Sequence, residues 1–166
     1  MEVMATLNGR DVVMDVEPHE LLLDVLRDTY GLTGAKRSCE VQVCGTCTVL
    51  LDGAPVSACT LLVADTEGRS ILTIEGLREL DAFPAITEAF ERHAAVQCGF
   101  CSPAMALTIH SLLESGDLTD EDAIRDGLSG NLCRCTGYRG IIAAAAELAG
   151  IAAREGGSPG GAEVHA

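Results

Sequence analysis

The chain has 166 residues, 48% of them hydrophobic but only 3% aromatic, with no tryptophan. That is enough for one domain or two small ones, with a core built from Leu, Val, Ile and Ala rather than from rings. Eleven basic against 25 acidic residues give a formal charge of −14, which excludes nucleic acid and anionic membrane as partners held by simple attraction. The single lysine, Lys36, follows no GxxxxG run, and no GxGxxG opens a helix. Neither a Walker A loop nor a dinucleotide site is expected.

Val3, Ala5 and Leu7 alternate with Met4, Thr6 and Asn8 as a half-buried strand does. Asn8-Gly9 predicts a tight hairpin turn, because both residues tolerate positive φ, and residues 12–16 return as the partner strand. Residues 20–29 predict a helix ending near Gly31. Two further strands, over 48–51 and 56–58, flank Asp52-Gly53, a second hairpin signal, and residues 71–74 form a last short strand. Hairpin, helix and then more strands is a β-grasp-like order.

The second half reads as helices. One covers 85–96. The next starts at Ser102-Pro103, with Ser as N-cap and Pro at the first helical position, runs over 104–114 and stops at Gly116. A third starts in the acidic stretch 119–122, whose charges complement a helix N-terminus, and ends by Gly130. A fourth runs over about 139–153. Short connections favour a four-helix bundle. The Gly/Ser-rich tail over 155–166 is expected to be disordered. The domain boundary falls near 76–83, giving an α+β chain divided into 1–78, 79–154 and the tail.

Eight cysteines fall into two quartets with none left over. The first, Cys39-x4-Cys44-x2-Cys47-x11-Cys59, has plant-type ferredoxin spacing, in which four thiolates hold a [2Fe–2S] cluster. The loop GAKRSCEVQVCGTC must wrap around something, and the small residues Ala35, Ser38, Gly45 and Thr46 would let backbone N–H groups reach the sulfurs. The second quartet, Cys98-x2-Cys101-x31-Cys133-x-Cys135, places both pairs next to helix starts, whose dipoles favour thiolate. An oxidised four-thiolate cluster carries a net −2, so two of them bring the charge to about −18. The N-terminal stretch is neither basic nor long in apolar residues, and no segment approaches a membrane span. A cytoplasmic setting, with cysteines serving as metal ligands rather than disulfides, is therefore expected.

Bland readings stand beside these. Zinc could replace iron at either quartet, although zinc sites more often pair CxxC units or add histidine. A thioredoxin-like CxxC pair would need a strand before Cys98, where a helix is expected. His19, His93, His110 and His165 are scattered, so no Rieske pairing appears. Asp120, Glu121 and Asp122 read as a solvated helix start. Met105, Leu107 and Leu112 read as core. Lys36, Arg37, Arg134 and Arg139 could moderate cluster charge or simply meet solvent or a partner. No nucleophile–base pair stands out.

Beyond spacing, CGTCTVLLDGAPVSAC, QCGFCSPAM and LSGNLCRCTGYRGI resemble the iron–sulfur small subunit of the molybdenum hydroxylase family over roughly residues 2–153. That family includes xanthine dehydrogenase, aldehyde oxidoreductases and aerobic carbon monoxide dehydrogenase. The resemblance implies a β-grasp, plant-type ferredoxin-like domain holding one [2Fe–2S] cluster by Cys39, Cys44, Cys47 and Cys59. It implies a four-helix domain holding a second cluster by Cys98, Cys101, Cys133 and Cys135. By position Gln97 resembles the family glutamine that touches the molybdopterin of a large subunit, and Cys135 the ligand beside it. The implied role is to relay electrons from that molybdopterin, through the helical and then the ferredoxin-like cluster, to FAD in a medium subunit. The implied assembly is a heterotrimer or its dimer. A stand-alone two-cluster ferredoxin and a two-zinc scaffold are the rival readings. The family's loop commonly reads GCxxGxCGxC, so Ser38 and Gln42 stand where glycines are usual. A non-glycine at 42 raises the question of its φ.

Overall fold

Asn8 and Gly9 both take positive φ, 51° and 77°, and so close strands β1 (Glu2–Leu7) and β2 (Arg10–Asp15) into the expected hairpin, with Leu7 opposite Arg10. In this computed structural model residues 1–151 are described. The tail, Arg154, His165 and the last residues of the expected fourth helix lie outside the described residues. Helix α1 begins as Leu22–Asp24 and continues as a π-helical stretch, Val25–Thr29. The wider turn lets Leu22, Leu23, Val25 and Leu26 all be buried. Asp52 and Gly53, at φ 50° and 84°, join β3 (Thr48–Leu51) to β4 (Ala54–Ser57). A 3-10 turn over Val63–Thr66 precedes β5 (Ser70–Leu72). The sheet order is β2-β1-β5-β3-β4, with β1 and β5 parallel and the other pairs antiparallel.

The expected last strand stops two residues early. Thr73 is buried, and its N–H donates to Asn8 Oδ1 at 2.8 Å. The chain then turns into a short helix, α2 (Ile74–Leu77), which the sequence pattern did not reveal. Helix α3 (Ala82–Arg92) starts three residues before the expected position. Pro84 lies in its first turn, where a missing N–H costs nothing. It ends before 96 because Ala94 takes φ 48°. Helix α4 (Ser102–Ser115) ends at Gly116 with φ 75°, as expected. Ser102, however, is the first helical residue rather than the cap. Cys101 occupies the cap position and no side chain caps there. Helix α5 (Glu121–Gly127) is capped by Asp120, whose side chain accepts from the Ala123 N–H at 2.9 Å. Helix α6 (Arg139–Leu148) stops ahead of Gly150, φ 69°. No described helix is long and apolar enough to cross a membrane.

Two cores result. Val3, Ala5, Leu7, Val49, Leu51 and Ile71 of the sheet pack with Leu22, Leu23 and Leu26 of α1. Ile86, Phe90, Met105, Ile109, Ile124 and Ile141 pack between the helices, and Leu50 joins them from β3. Strand β3 is therefore buried on both faces, with α4 lying across it. Its uninterrupted run Thr-Val-Leu-Leu reflects that burial rather than alternation. Met105 and Leu107 are core, as their bland reading has it.

Leu50 is 2% exposed and is the sheet's fully buried side chain in the helical core, with Leu72 of β5 packed beside it at the edge. Leu50→Ala should destabilise the protein by about 2–5 kcal/mol. Denaturant unfolding would measure it, and an unchanged midpoint would contradict the two-sided role of β3.

Candidate metal centres

Cys39, Cys44 and Cys47 lie on the loop between α1 and β3, and Cys59 lies just past β4. The loop is tied at its base. Arg27 donates to the carbonyls of Thr33 at 3.0 Å and Ala35 at 2.7 Å, and the Lys36 N–H donates to the Thr46 carbonyl at 2.9 Å. Between these ties Glu40, Gln42 and Gly45 take φ of 57°, 58° and 66°. Gln42 thus adopts the left-handed conformation that a glycine would supply, and its side chain accepts from Thr60 Oγ1 at 3.3 Å, beside Cys59. The alternation of handedness turns successive N–H groups inward as an anion-binding concavity. The N–H groups of Val43 and Cys44 each lie 3.3 Å from Cys39 Sγ. With the Val41 N–H, which acts most strongly, they pull the Cys39 thiol down to about 6. The N–H groups that reach Cys39 are thus those of Val41, Val43 and Cys44, in the loop whose small residues are Ala35, Ser38, Gly45 and Thr46. Of those small residues Thr46 does reach sulfur, its hydroxyl lying 3.2 Å from Cys44 Sγ. Cys47 and Cys59 are buried, and burial pushes the Cys47 thiol up to about 11.

In the second quartet Cys98 and Cys101 join α3 to α4, and Cys133 and Cys135 join α5 to α6. Cys98 and Cys135 are exposed, with sulfurs 3.4 Å apart. The Phe100 N–H, and then Cys135, lower the Cys98 thiol. Burial raises Cys101 to about 12. Burial also opposes ionisation of Cys133, but the Thr136 hydroxyl at 3.0 Å and its N–H at 3.5 Å outweigh it and lower that thiol. Tyr138 Oη accepts from the Cys133 N–H at 2.9 Å and donates to the Asn131 carbonyl at 3.1 Å, which fixes the turn. Gln97 is exposed beside Cys98.

All eight cysteines are free thiols; Cys98 Sγ and Cys135 Sγ lie 3.4 Å apart, and Cys39 with Cys44, Cys47 with Cys59 and Cys101 with Cys133 are near enough that the second thiol of each pair shifts the ionisation of the first. Among the described residues no three His, Cys, Asp or Glu side chains converge on one ion position. A rhomb of two irons and two sulfides takes two thiolates at each iron, and a quartet made of two pairs fits that demand. The donor set is all sulfur, with N–H and hydroxyl groups directed at it, as cluster thiolates require.

Cys44 of the first quartet shares a cleft with all four cysteines of the second. A cavity of about 470 Å³ is lined by Cys44 and Thr46 from the first and by Cys98, Cys101, Cys133 and Cys135 from the second. The Leu132 N–H donates to the Cys44 carbonyl at 2.8 Å, and a Cβ on Gly45 would lie 2.1 Å from the Gly130 carbonyl. The charged residues near the loops are mostly engaged. Arg37 meets Asp24 at 2.5 Å, Glu40 at 2.9 Å and Asp28 at 3.7 Å, and Lys36 donates to the Thr33 carbonyl at 2.9 Å. Arg134 and Arg139 remain exposed. His93 pairs with Glu147 at 2.7 Å, a bond between helices rather than a metal contact.

Comparison with known proteins matches residues 5–72 to the "2Fe-2S iron-sulfur cluster binding domain" family and residues 73–146 to the "[2Fe-2S] binding domain" family. The chain is 43% identical over 150 residues to the nicotine 6-hydroxylase small subunit of Paenarthrobacter nicotinovorans, covering 90% of each chain. It is 38% identical over 143 residues to the xanthine dehydrogenase iron-sulfur-binding subunit of Escherichia coli O157:H7, covering 84% of this chain and 89% of that one. The chain belongs to the [2Fe–2S] small-subunit family of the molybdenum hydroxylases. The solved quinoline 2-oxidoreductase from Pseudomonas putida 86 contains a chain that superposes on this small subunit with a TM-score of 0.84 at 46% identity, over 90% of this chain and 94% of that one. The aldehyde oxidoreductase from Desulfovibrio gigas matches at 36% identity and a TM-score of 0.83, and there the small subunit corresponds to 17% of a longer chain. As a member of this family the small subunit is a non-catalytic, electron-transferring part of an oxidoreductase, with two [2Fe–2S]-binding domains.

Gly45→Ala should cost about 2–5 kcal/mol, the sum of overpacking against Gly130 and a non-glycine residue held at positive φ. Denaturant titration measures it. A stability equal to the parent's would mean that the two loops do not approach as described.

Proposed function

We propose that Cys39, Cys44, Cys47 and Cys59 hold one [2Fe–2S] cluster and Cys98, Cys101, Cys133 and Cys135 the other, with each sulfur pair on one iron. The pairing of the sulfurs carries this reading. When bound, each cluster supplies a one-electron site. The chain would carry electrons from a molybdopterin centre in a large subunit, by way of the helical domain and then the ferredoxin-like domain, to FAD in a medium subunit. The domain division is 1–78 and 79–154. A reducing cytoplasmic setting suits eight thiols that must stay available for metal.

The residues divide this work. Within each quartet some thiols are buried and raised while others are held down by N–H and hydroxyl donors. The donors stabilise thiolate charge and favour the reduced, more negative state, while the buried side keeps water from the site. Cys98 and Cys135 lie at the surface with Gln97, and Val96, Phe100 and Leu132 are exposed there at 47%, 44% and 49%. Such an apolar rim favours an obligate partner over a freely soluble shuttle. It suits docking of the large subunit, with Gln97 and Cys135 meeting its pterin. Val41 and Val43, exposed at 65% and 62% on the first loop, suit the medium subunit in the same way.

Cys44→Ser should remove the ferredoxin-like cluster and spare the helical one. Iron would fall from about four to about two atoms per chain, with one of two reducible paramagnetic signals lost. Two signals of parental intensity in that variant would break the assignment of the quartets.

A further inference from the structure

Among the described residues Asn131 is the only asparagine or glutamine that is buried, at 4% exposure, and it lies two residues before Cys133. Its side chain joins three elements. Nδ2 donates to the Gly45 carbonyl at 3.0 Å and to Thr48 Oγ1 at 3.2 Å, and Oδ1 accepts from Thr108 Oγ1 at 3.0 Å. Gly45 stands between Cys44 and Cys47, Thr48 opens β3, and Thr108 lies in α4. The backbone of Asn131 continues the linkage. Its carbonyl accepts from Tyr138 Oη, whose oxygen accepts the Cys133 N–H, and the next N–H, of Leu132, donates to the Cys44 carbonyl at 2.8 Å. Only a neutral amide offers two donors and an acceptor in this arrangement. A carboxylate of the same shape would set a charged oxygen against the Gly45 carbonyl.

The consequence lies in how the quartets are joined. The hydrogen bond from the Leu132 N–H to the Cys44 carbonyl links a residue adjacent to one ligand, Cys133, directly to the backbone of another, Cys44. Asn131 pins both sides of that bond, by its amide to Gly45 and by its own backbone to the Cys133 turn. We propose that Asn131 is a positioning residue for electron passage between the two clusters, holding the Cys44 and Cys133 loops at a fixed separation with the Leu132–Cys44 bond made. This rests on the reading that both quartets hold clusters. One electron passes, the donor cluster being oxidised and the acceptor reduced by the same unit, and no proton moves.

A buried asparagine can also serve only to satisfy its neighbours. The two roles differ in what they move. A purely structural bond affects unfolding, whereas a positioning residue also affects the geometry between two loaded clusters. Ser111 supplies the control. Its Oγ donates to the Gly53 carbonyl at 2.6 Å, a bond between the halves that lies away from both cysteine loops.

The test uses the full chain with both clusters loaded, as shown by iron content and two reducible signals. Electron paramagnetic resonance of the fully reduced protein reads the spin–spin splitting between clusters, which falls steeply with separation. Pulsed one-electron reduction reads the rate of redistribution between them. Asn131→Asp and Asn131→Ala should keep both signals, lose the splitting and slow redistribution. Thr108→Val, which removes only the donor to Oδ1, should do so to a smaller extent, and Ser111→Ala should match the parent. Where Asn131→Ala does not fold, Asn131→Asp and Thr108→Val decide. Parental splitting and rate in those variants, with both clusters present, would overturn the proposal. A parent protein without two reducible signals would instead refute the reading beneath it.

Discussion

The structure depends on the close approach of two cysteine-bearing loops that are far apart in sequence. Gly45 lies where a single added carbon would strike the Gly130 backbone, and the Cys44 carbonyl accepts the Leu132 N–H. Neither contact is possible unless the sheet and the helices are packed together, and strand β3 provides that packing by being buried on both faces. Leu50 points to the helical core and Val49 and Leu51 to the sheet core. The chain thus has two cores but one seam, and Cys44 of the first quartet and all four cysteines of the second line the cleft beside it.

Sulfur chemistry explains the rest of the loop architecture. Thiolates need donors, and the first loop supplies backbone N–H groups by alternating left-handed residues, which hold the Cys39 thiol well below its ordinary value. The second quartet draws on a threonine hydroxyl and a short turn braced by Tyr138. Each quartet has a buried side and a donor-rich side. Arg37, which could have offset cluster charge, is occupied by Asp24, Asp28 and Glu40. At the first quartet local tuning therefore falls to backbone dipoles and hydroxyls more than to free cations.

Features governed by neighbouring residues were legible in the sequence. Asn8-Gly9 and Asp52-Gly53 declared their hairpins through turn chemistry, Gly116 declared the end of α4, and cysteine spacing declared two quartets. Features governed by distant contacts were not. The seam role of Asn131 depends on Gly45, 86 residues away. Thr73 ends its strand because Asn8 claims its N–H, 65 residues away. The widened turn of α1 follows from packing four apolar residues against a sheet. The N–H donors on Cys39 come from bulky residues at 41 and 43, because handedness at 40 and 42 mattered more than side-chain size. Family resemblance supplied what spacing left open at the second quartet, where the Cys98 and Cys135 sulfurs lie 3.4 Å apart.

The most direct test is the metal content of anaerobically prepared protein, read together with Mössbauer spectra. The account predicts about four irons and four acid-labile sulfides per chain, as two diferric pairs that each take up one electron. Two or fewer irons per chain, or zinc in their place, would contradict it.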